Sequence, residues 1–273
     1  MHRELSAIIA IPLVLWAIIL APGWVFLLLL DLVILVAADE LLKMAESSGI
    51  PLQRKISLLA LMSFLGAAYF NSLPAMAALL LAWALLLPVI QVFRPGSPDG
   101  SLRGVAVPLF VILSIGAAGS SLGWLKSMAP DGTTGIKVLL LFLFTIWIGD
   151  SGAYYLGKNF GRHKMAPILS PKKTWEGLVG GILTSFIGAA VFHLLFPLPF
   201  GWMPVLIIAA ILSIAAPVGD LVESIFKRDT GVKDSSNLIP GHGGLLDRTD
   251  SLFFSAPWVL AYLCFAGFYS FPF

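Results

Sequence analysis

Acidic, basic and glycine residues are concentrated in segment 224–250 of a chain that is otherwise 58% hydrophobic and only 12% charged. Within this segment and just before it, two groups of polar residues have the spacing of one helix face. The first group, with i, i+3, i+4, i+7 spacing, is Asp220, Glu223, Ser224 and Lys227. The second group, with i, i+3, i+4 spacing, is Asp247, Asp250 and Ser251. We therefore expect two helix ends, joined by one loop, to present carboxylates to a common space.

Carboxylates that are held close together in a low dielectric repel one another, and a bound cation relieves that repulsion. Ligation by oxygen alone suits Mg²⁺, which keeps water and takes further ligands from a phosphate. The spacing therefore predicts a cation site. The alternative is that Asp220 and Asp247 only form structural ion pairs with Lys227 and Arg248.

A glycine-rich turn, Pro240–Gly244, separates the two acidic groups. Glycines let backbone N–H groups approach an anion, and the helix that follows adds the positive end of its dipole. A triphosphate would fit such a turn, although a turn before a helix needs no ligand. His242 has two roles open to it, structural hydrogen bonding and contact with phosphate.

A second charged segment, 148–177, begins near the end of the sixth apolar run. Ser170 and Pro171 are predicted to be the N-cap and the first turn of the next helix. Lys172 and Lys173 would then lie at a helix N-terminus, where they oppose the helix dipole unless an anion such as phosphate binds between them. Contact with anionic lipid headgroups is the alternative.

Two acids flank this segment, since Asp150 closes one apolar run and Glu176 opens the next. Acids in such positions are costly unless they face the interior of a helical bundle. We therefore expect both carboxylates to lie in one polar cavity.

The elements that must position these residues are membrane helices. The mean hydropathy is +0.94, and the apolar runs are too long for the surface helices of a soluble domain. The predicted fold is an all-α, polytopic helical bundle in the lipid bilayer, and no nucleic acid is expected as a partner. About nine spans can be counted between turn-forming residues, near 5–21, 23–40, 56–72, 74–93, 104–123, 137–157, 175–196, 202–226 and 251–271.

Basic residues are distributed unequally over alternate loops. Fifteen of the 17 lysines and arginines fall on one side, and the other side keeps Lys126 and Lys137. Because cytoplasmic loops hold such an excess, we expect a cytoplasmic N-terminus, an external C-terminus and charged segments that face the cytoplasm. We divide the chain into 1–135, with about five spans and no recognisable motif, and 136–273, with about four spans and the charged loops.

Fixed residues between Ser224 and Asp250 resemble the signature of the phosphatidate cytidylyltransferases, also called CDP-diacylglycerol synthases. The pattern in this sequence is S-x-x-K-R-x-x-x-x-K-D-x-x-x-x-x-P-G-H-G-G-x-x-D-R-x-D. The upstream segments D-S-G-A-Y and S-P-K-K-T-W-E-G are similar to that family too, although Asp150-Ser151 stands where many relatives have Asp-Thr. The resemblance covers roughly the C-terminal half of the chain.

The resemblance implies that CTP and phosphatidic acid react to CDP-diacylglycerol and pyrophosphate, a step of phospholipid biosynthesis at the cytoplasmic face of the cell membrane. It also implies Mg²⁺, with a second cation nearby as an open alternative. The implied metal ligands are Asp220 and Asp247, supported by Glu223 and Asp250. The residues expected to be catalytic are Asp220, Asp247, Asp250, Lys227 and Arg248. Those expected to bind substrate are Ser170, Lys172, Lys173, Asp150, Ser224, Arg228, Lys233, Asp234, His242, Gly243 and Gly244.

Two other functions stay open. A CTP-dependent polyprenol or lipid kinase would also combine a nucleotide, a metal and a lipid, but it would transfer the γ-phosphoryl group to an alcohol and release CDP. A cation transporter could use Asp31, Asp150 and Asp220 as sites within the membrane. The small residues of 177–181 could let helices pack closely, and a homodimer is one result of such packing.

Overall fold

The structure is a computed structural model that describes residues 2–128, 132–239 and 243–269, with side chains from residue 10 onward. These parts of the chain form nine α-helices and one two-stranded hairpin, so the prediction of an all-α bundle is confirmed. The helices are α1 (His2–Ile19), α2 (Gly23–Ser47), α3 (Arg54–Tyr69), α4 (Leu73–Val92), α5 (Ser101–Lys126), α6 (Thr133–Phe160), α7 (Trp175–Leu195), α8 (Trp202–Asp229) and α9 (Leu246–Phe265).

Five helices, α4 to α8, are long and apolar enough to cross a membrane, so the protein is an integral membrane protein. The other helices differ for reasons that the sequence shows. Acidic residues occupy the second half of α2, α3 has only 16 residues, and α9 begins with Asp247 and Arg248. A shorter apolar stretch, Ala10–Ile19, lies in α1. The crossing of α1, α2, α3 and α9 stays a prediction.

Two lysines lie at one end of the bundle. Lys126 donates to a backbone carbonyl of α1 at 2.9 Å, and Lys137 donates to one in the turn between α7 and α8 at 3.1 Å. These two lysines, which charge sorting assigned to the sparsely charged side, mark one end of the bundle. Because α6 and α8 start at this end, they finish at the opposite end of the bundle. The charged segments that follow these two helices therefore lie at that opposite end.

Close packing of α6 against α7 depends on glycines. A Cβ atom at Gly152 would lie 2.0 Å from Thr184 Oγ1, and one at Gly149 would lie 2.3 Å from Ser185 Oγ. A larger residue at either position would clash with these side chains of α7, so glycine permits the close approach of the two helices. The glycines of 177–181 also face α6. Their small size therefore serves packing within the chain, and a homodimer stays a prediction.

A short antiparallel hairpin connects α6 to α7. Its strands are β1 (Lys164–Ala166) and β2 (Ser170–Thr174), and Ala166 pairs with Ser170. Proline is tolerated in such a strand when no partner needs its missing N–H group, so Pro171 fits the extended conformation. Lys172 and Lys173 therefore lie on β2.

The prediction that Ser170 and Pro171 begin the helix is wrong. Thr174, in an extended conformation, is the N-cap, and its Oγ1 accepts from the N–H group of Gly177 at 3.1 Å. Serine and threonine are both good caps, so pairing of β2 with β1 decides which of them starts α7.

Candidate active site

A cavity of about 680 Å³ lies between α6, α7, α8 and the hairpin. The charged residues among its lining are Lys158, Lys164, Lys172, Lys173, Asp150 and Asp220. The lysine pair and Asp150, which come from one charged segment, thus meet Asp220, which comes from the other. A cavity with four lysines favours an anionic ligand.

Lys173 joins the hairpin to α8. Its Nζ lies 2.8 Å from Asp220 Oδ2 and donates to the carbonyl of Pro217 at 3.1 Å. The neighbouring Lys172 is exposed. The two lysines therefore differ, because one is held by α8 and the other presents its charge to the cavity opening.

Three carboxylates form an acidic group at the junction of α8 and α9. Oxygen atoms of Asp220, Glu223 and Asp250 lie within 4.8 Å of one another. Glu223 Oε1 is buried and has no hydrogen-bond partner in the described parts of the chain. A buried carboxylate oxygen without a partner is costly, and a divalent cation is the ligand that oxygen donors at this spacing fit. These three residues could hold a metal ion.

Lys227 is buried between two acids. Its Nζ contacts Glu223 Oε2 and lies 2.7 Å from Asp247 Oδ1. The side chain of Lys227 is only 11% exposed, and those of Glu223 and Asp247 are 5% and 6% exposed. One lysine thus compensates two carboxylates that are shielded from water.

Asp247 lies outside the acidic group and holds the loop that precedes α9. Its Oδ2 accepts from the N–H and O–H groups of Ser235 at 2.9 and 2.8 Å and from the N–H group of Gly244 at 2.8 Å. Asp247 thus has the ion pair with Lys227 that was the alternative to metal binding, whereas Asp220 pairs with Lys173. A role for Asp247 as a metal ligand stays a prediction.

Three other predicted residues lie next to these carboxylates. Ser224 is buried and donates from its hydroxyl group to Asp220 Oδ1 at 3.4 Å. Gly243 has a φ of 80°, in the left-handed region that favours glycine. Because the N–H group of Gly244 donates to Asp247, Gly244 serves the loop in this conformation. Phosphate binding by these glycines stays a prediction.

The remaining predicted residues lie away from the cavity or outside the described residues. Ser170 lies at the start of β2, and His242 lies in 240–242, outside the described residues. Four predicted residues are exposed in or beside the loop between α8 and α9, and none of the four lines the cavity. These residues are Arg228, Lys233, Asp234 and Arg248.

Glu176 has a structural role, contrary to the expectation that it shares the cavity with Asp150. Its carboxylate accepts from the backbone N–H groups of Arg162 and His163 at 3.0 and 3.2 Å and contacts the ring of His163. The start of the hairpin is thereby tied to the first turn of α7.

Sequence reasoning missed Glu40, an acid of α2 that is buried and bonded to the loop before α9. The signal was present, because Asp39 and Glu40 interrupt a mostly apolar helix. It is the same signal that drew attention to Asp150.

A basic cavity beside three clustered carboxylates, at one end of a membrane bundle, is the arrangement expected of a membrane enzyme that acts on phosphate groups. Residues 1–266 match the cytidylyltransferase family, and the chain belongs to that family. The protein is therefore a nucleotidyltransferase.

Curated relatives match most of the chain. Identity is 34% with the phosphatidate cytidylyltransferase of Staphylococcus saprophyticus, over 93% of this chain and 95% of that protein. Identity is 35% with the phosphatidate cytidylyltransferase of Synechocystis sp., over 94% of both chains. The Escherichia coli protein YnbB, described as uncharacterized, is 39% identical over 68% of this chain and 63% of its own length.

Proposed function

We propose that the protein catalyses the reaction of CTP with phosphatidic acid to CDP-diacylglycerol and pyrophosphate. The position of Asp220 carries the proposal. Its carboxylate belongs to the acidic group and also pairs with Lys173 in the wall of the basic cavity. A reaction between two phosphate anions needs such a combination of metal ligands and cationic side chains. The names of the two phosphatidate cytidylyltransferases that match most of the chain support the same substrates.

In this reaction, an oxygen of the lipid phosphate forms a bond to the α-phosphorus of CTP, and the bond from that phosphorus to pyrophosphate breaks. No general base is required, because the phosphate monoester is already an anion near neutral pH. Lys172 and Lys173 reduce repulsion between the two substrates. Bound Mg²⁺, for which Asp220, Glu223 and Asp250 are the proposed ligands, would supply positive charge to the phosphates of CTP.

The shape of the cavity suits a lipid substrate. Its lining extends along α8 from Asp220 to Leu212, eight residues or about 12 Å towards the middle of the bundle. Ile146 and Leu178 contribute further apolar surface. The lysines therefore suit a phosphate headgroup, and the apolar inner part of the cavity suits acyl chains. Asp31, which a transporter would use, is not among the lining residues that the structure describes.

The proposed reaction is tested with CTP that is labelled separately at the α and γ phosphates. Purified protein with phosphatidic acid, a polyprenol as the alcohol acceptor and Mg²⁺ should place the α label in lipid and release the γ label as pyrophosphate. Label from the γ position in lipid would identify a kinase, and lipid without either label would overturn both enzyme functions. In sealed vesicles, only those with the cytoplasmic face outside should use added CTP, because we propose that the basic end of the bundle faces the cytoplasm.

Lys172→Ala should raise KM for one substrate about tenfold and change kcat by less than about threefold, since an exposed lysine that binds a phosphate equally in ground and transition states contributes to KM alone. Lys55→Ala, which removes an exposed lysine at the start of α3, is the matched control. Initial rates over a range of each substrate measure the effect. Identical KM values for Lys172→Ala and wild type would favour contact with lipid headgroups in general.

A further inference from the structure

Glu40 of α2 contacts four polar groups that lie about two hundred residues later in the sequence, and only 3% of its surface is exposed. Its Oε1 accepts from the Ser236 hydroxyl group at 2.6 Å and from the Leu245 N–H group at 3.0 Å. Its Oε2 lies 2.9 Å from the Ser235 hydroxyl oxygen and accepts from the Leu246 N–H group at 2.8 Å. One carboxylate thus gathers the loop between α8 and α9 and the start of α9.

Glu40 acts in place of an N-cap for α9. The first N–H groups of a helix have no partner within the helix. Leu245 precedes α9, and its side chain has no oxygen that could accept from them. Glu40 accepts from two of these N–H groups and brings a negative charge to the positive end of the helix dipole. The position of the first turn of α9 therefore depends on a residue of α2.

The first two turns of α9 carry two carboxylates of the site. Asp247 pairs with Lys227, and Asp250, one turn later, belongs to the acidic group. The hydroxyl oxygen of Ser235 lies 2.9 Å from Glu40 and 2.8 Å from Asp247. A continuous set of polar contacts thus runs from α2 to Asp247 of α9.

We infer that Glu40 is a positioning residue for the proposed metal site, because it holds the start of α9 where Asp250 can join Asp220 and Glu223. Each oxygen of Glu40 already contacts two polar groups of the loop and the start of α9, so Glu40 acts through α9 and is not a further ligand. Glutamine has the same size, but its amide nitrogen is a donor and would face donors. Glu40→Gln should therefore loosen the start of α9.

The test uses the full chain in detergent and in vesicles, and its activity measurements rest on the proposed function. For Glu40→Gln, the Mg²⁺ concentration that gives half-maximal activity should rise about tenfold, the usual effect of removing a group that orients a metal ligand. Binding of Mn²⁺ without substrates, followed by the electron paramagnetic resonance of the free ion, should weaken by the same factor. KM for phosphatidic acid should stay the same, because Glu40 is not among the residues that line the basic cavity.

Glu46→Gln is the matched control, since it makes the same exchange six residues later in α2, where the carboxylate is 50% exposed and 3.6 Å from Arg54. It should leave Mg²⁺ dependence and Mn²⁺ binding unchanged. If Glu40→Gln does not fold, Ser236→Ala removes one donor to Glu40 and should shift both measurements in the same direction by a smaller factor.

Unaltered Mn²⁺ binding in a folded Glu40→Gln protein would overturn the inference, even if its Tm is lower, because the role would then be structural alone. Failure of the proposed function gives a different result. The wild-type protein would then make no CDP-diacylglycerol, while the Mn²⁺ measurement would still compare Glu40→Gln with Glu46→Gln.

Discussion

Asp250→Asn should lower the rate of CDP-diacylglycerol formation by about 10³-fold, since removing one group that supports the transition-state charge costs about this much. The protein should stay folded. Among the described residues, no lysine or arginine forms an ion pair with Asp250, whose Oδ1 accepts from the N–H group of Ser251 at 2.7 Å. Asparagine can also accept this bond. Repulsion with Asp220 and Glu223 falls at the same time, so the change removes a metal ligand without leaving an unpaired cation.

The loss is measured with CTP labelled at the α-phosphate, together with Mn²⁺ binding and Tm in detergent. Asp99→Asn makes the same exchange in the exposed loop between α4 and α5 and should match wild type in all three. Activity of Asp250→Asn within about threefold of wild type would remove Asp250 from the proposed metal site. A Tm several degrees below that of wild type would show instead that the charge of Asp250 stabilises the fold.

The sequence allowed the helices to be located because a bilayer accepts only long apolar segments whose backbone hydrogen bonds are internal. It was less informative where charge and apolar residues mix. In α2, the acids that weaken the membrane signal include Glu40, whose partners lie beyond residue 234. No periodic pattern reports a contact between residues so far apart, so the dependence of α9 on α2 could not be predicted.

Helical spacing predicted which acids could approach one another, but it did not decide their partners. Asp220 and Glu223 share a face of α8 and meet Asp250, as the spacing suggested. Asp247 is only three residues before Asp250, yet it turns to the N–H groups of Ser235 and Gly244. Those donors belong to an irregular loop, whose path depends on tertiary contacts.

Lys227→Met should destabilise the protein by about 3–5 kcal/mol, because removing one member of a buried ion pair leaves its partner charged and uncompensated. Here two partners are affected, Glu223 and Asp247, and both side chains are almost fully buried. Activity should be lost as well, since Glu223 belongs to the acidic group. Denaturant unfolding in detergent and the α-label assay measure the two effects, and Lys55→Met is the control at an exposed lysine.

A second substitution separates the two roles of Lys227. Adding Glu223→Gln to Lys227→Met removes one of the uncompensated charges, so the double variant should regain about half of the lost stability. It should not regain activity, because the same change takes a carboxylate from the acidic group. Wild-type stability of Lys227→Met would contradict the compensating role of this lysine. An active double variant would contradict the role of Glu223. Either of these two results would mean that stability and catalysis depend on different residues. The short contacts of Lys227 predict instead that this one buried cation supports both stability and catalysis.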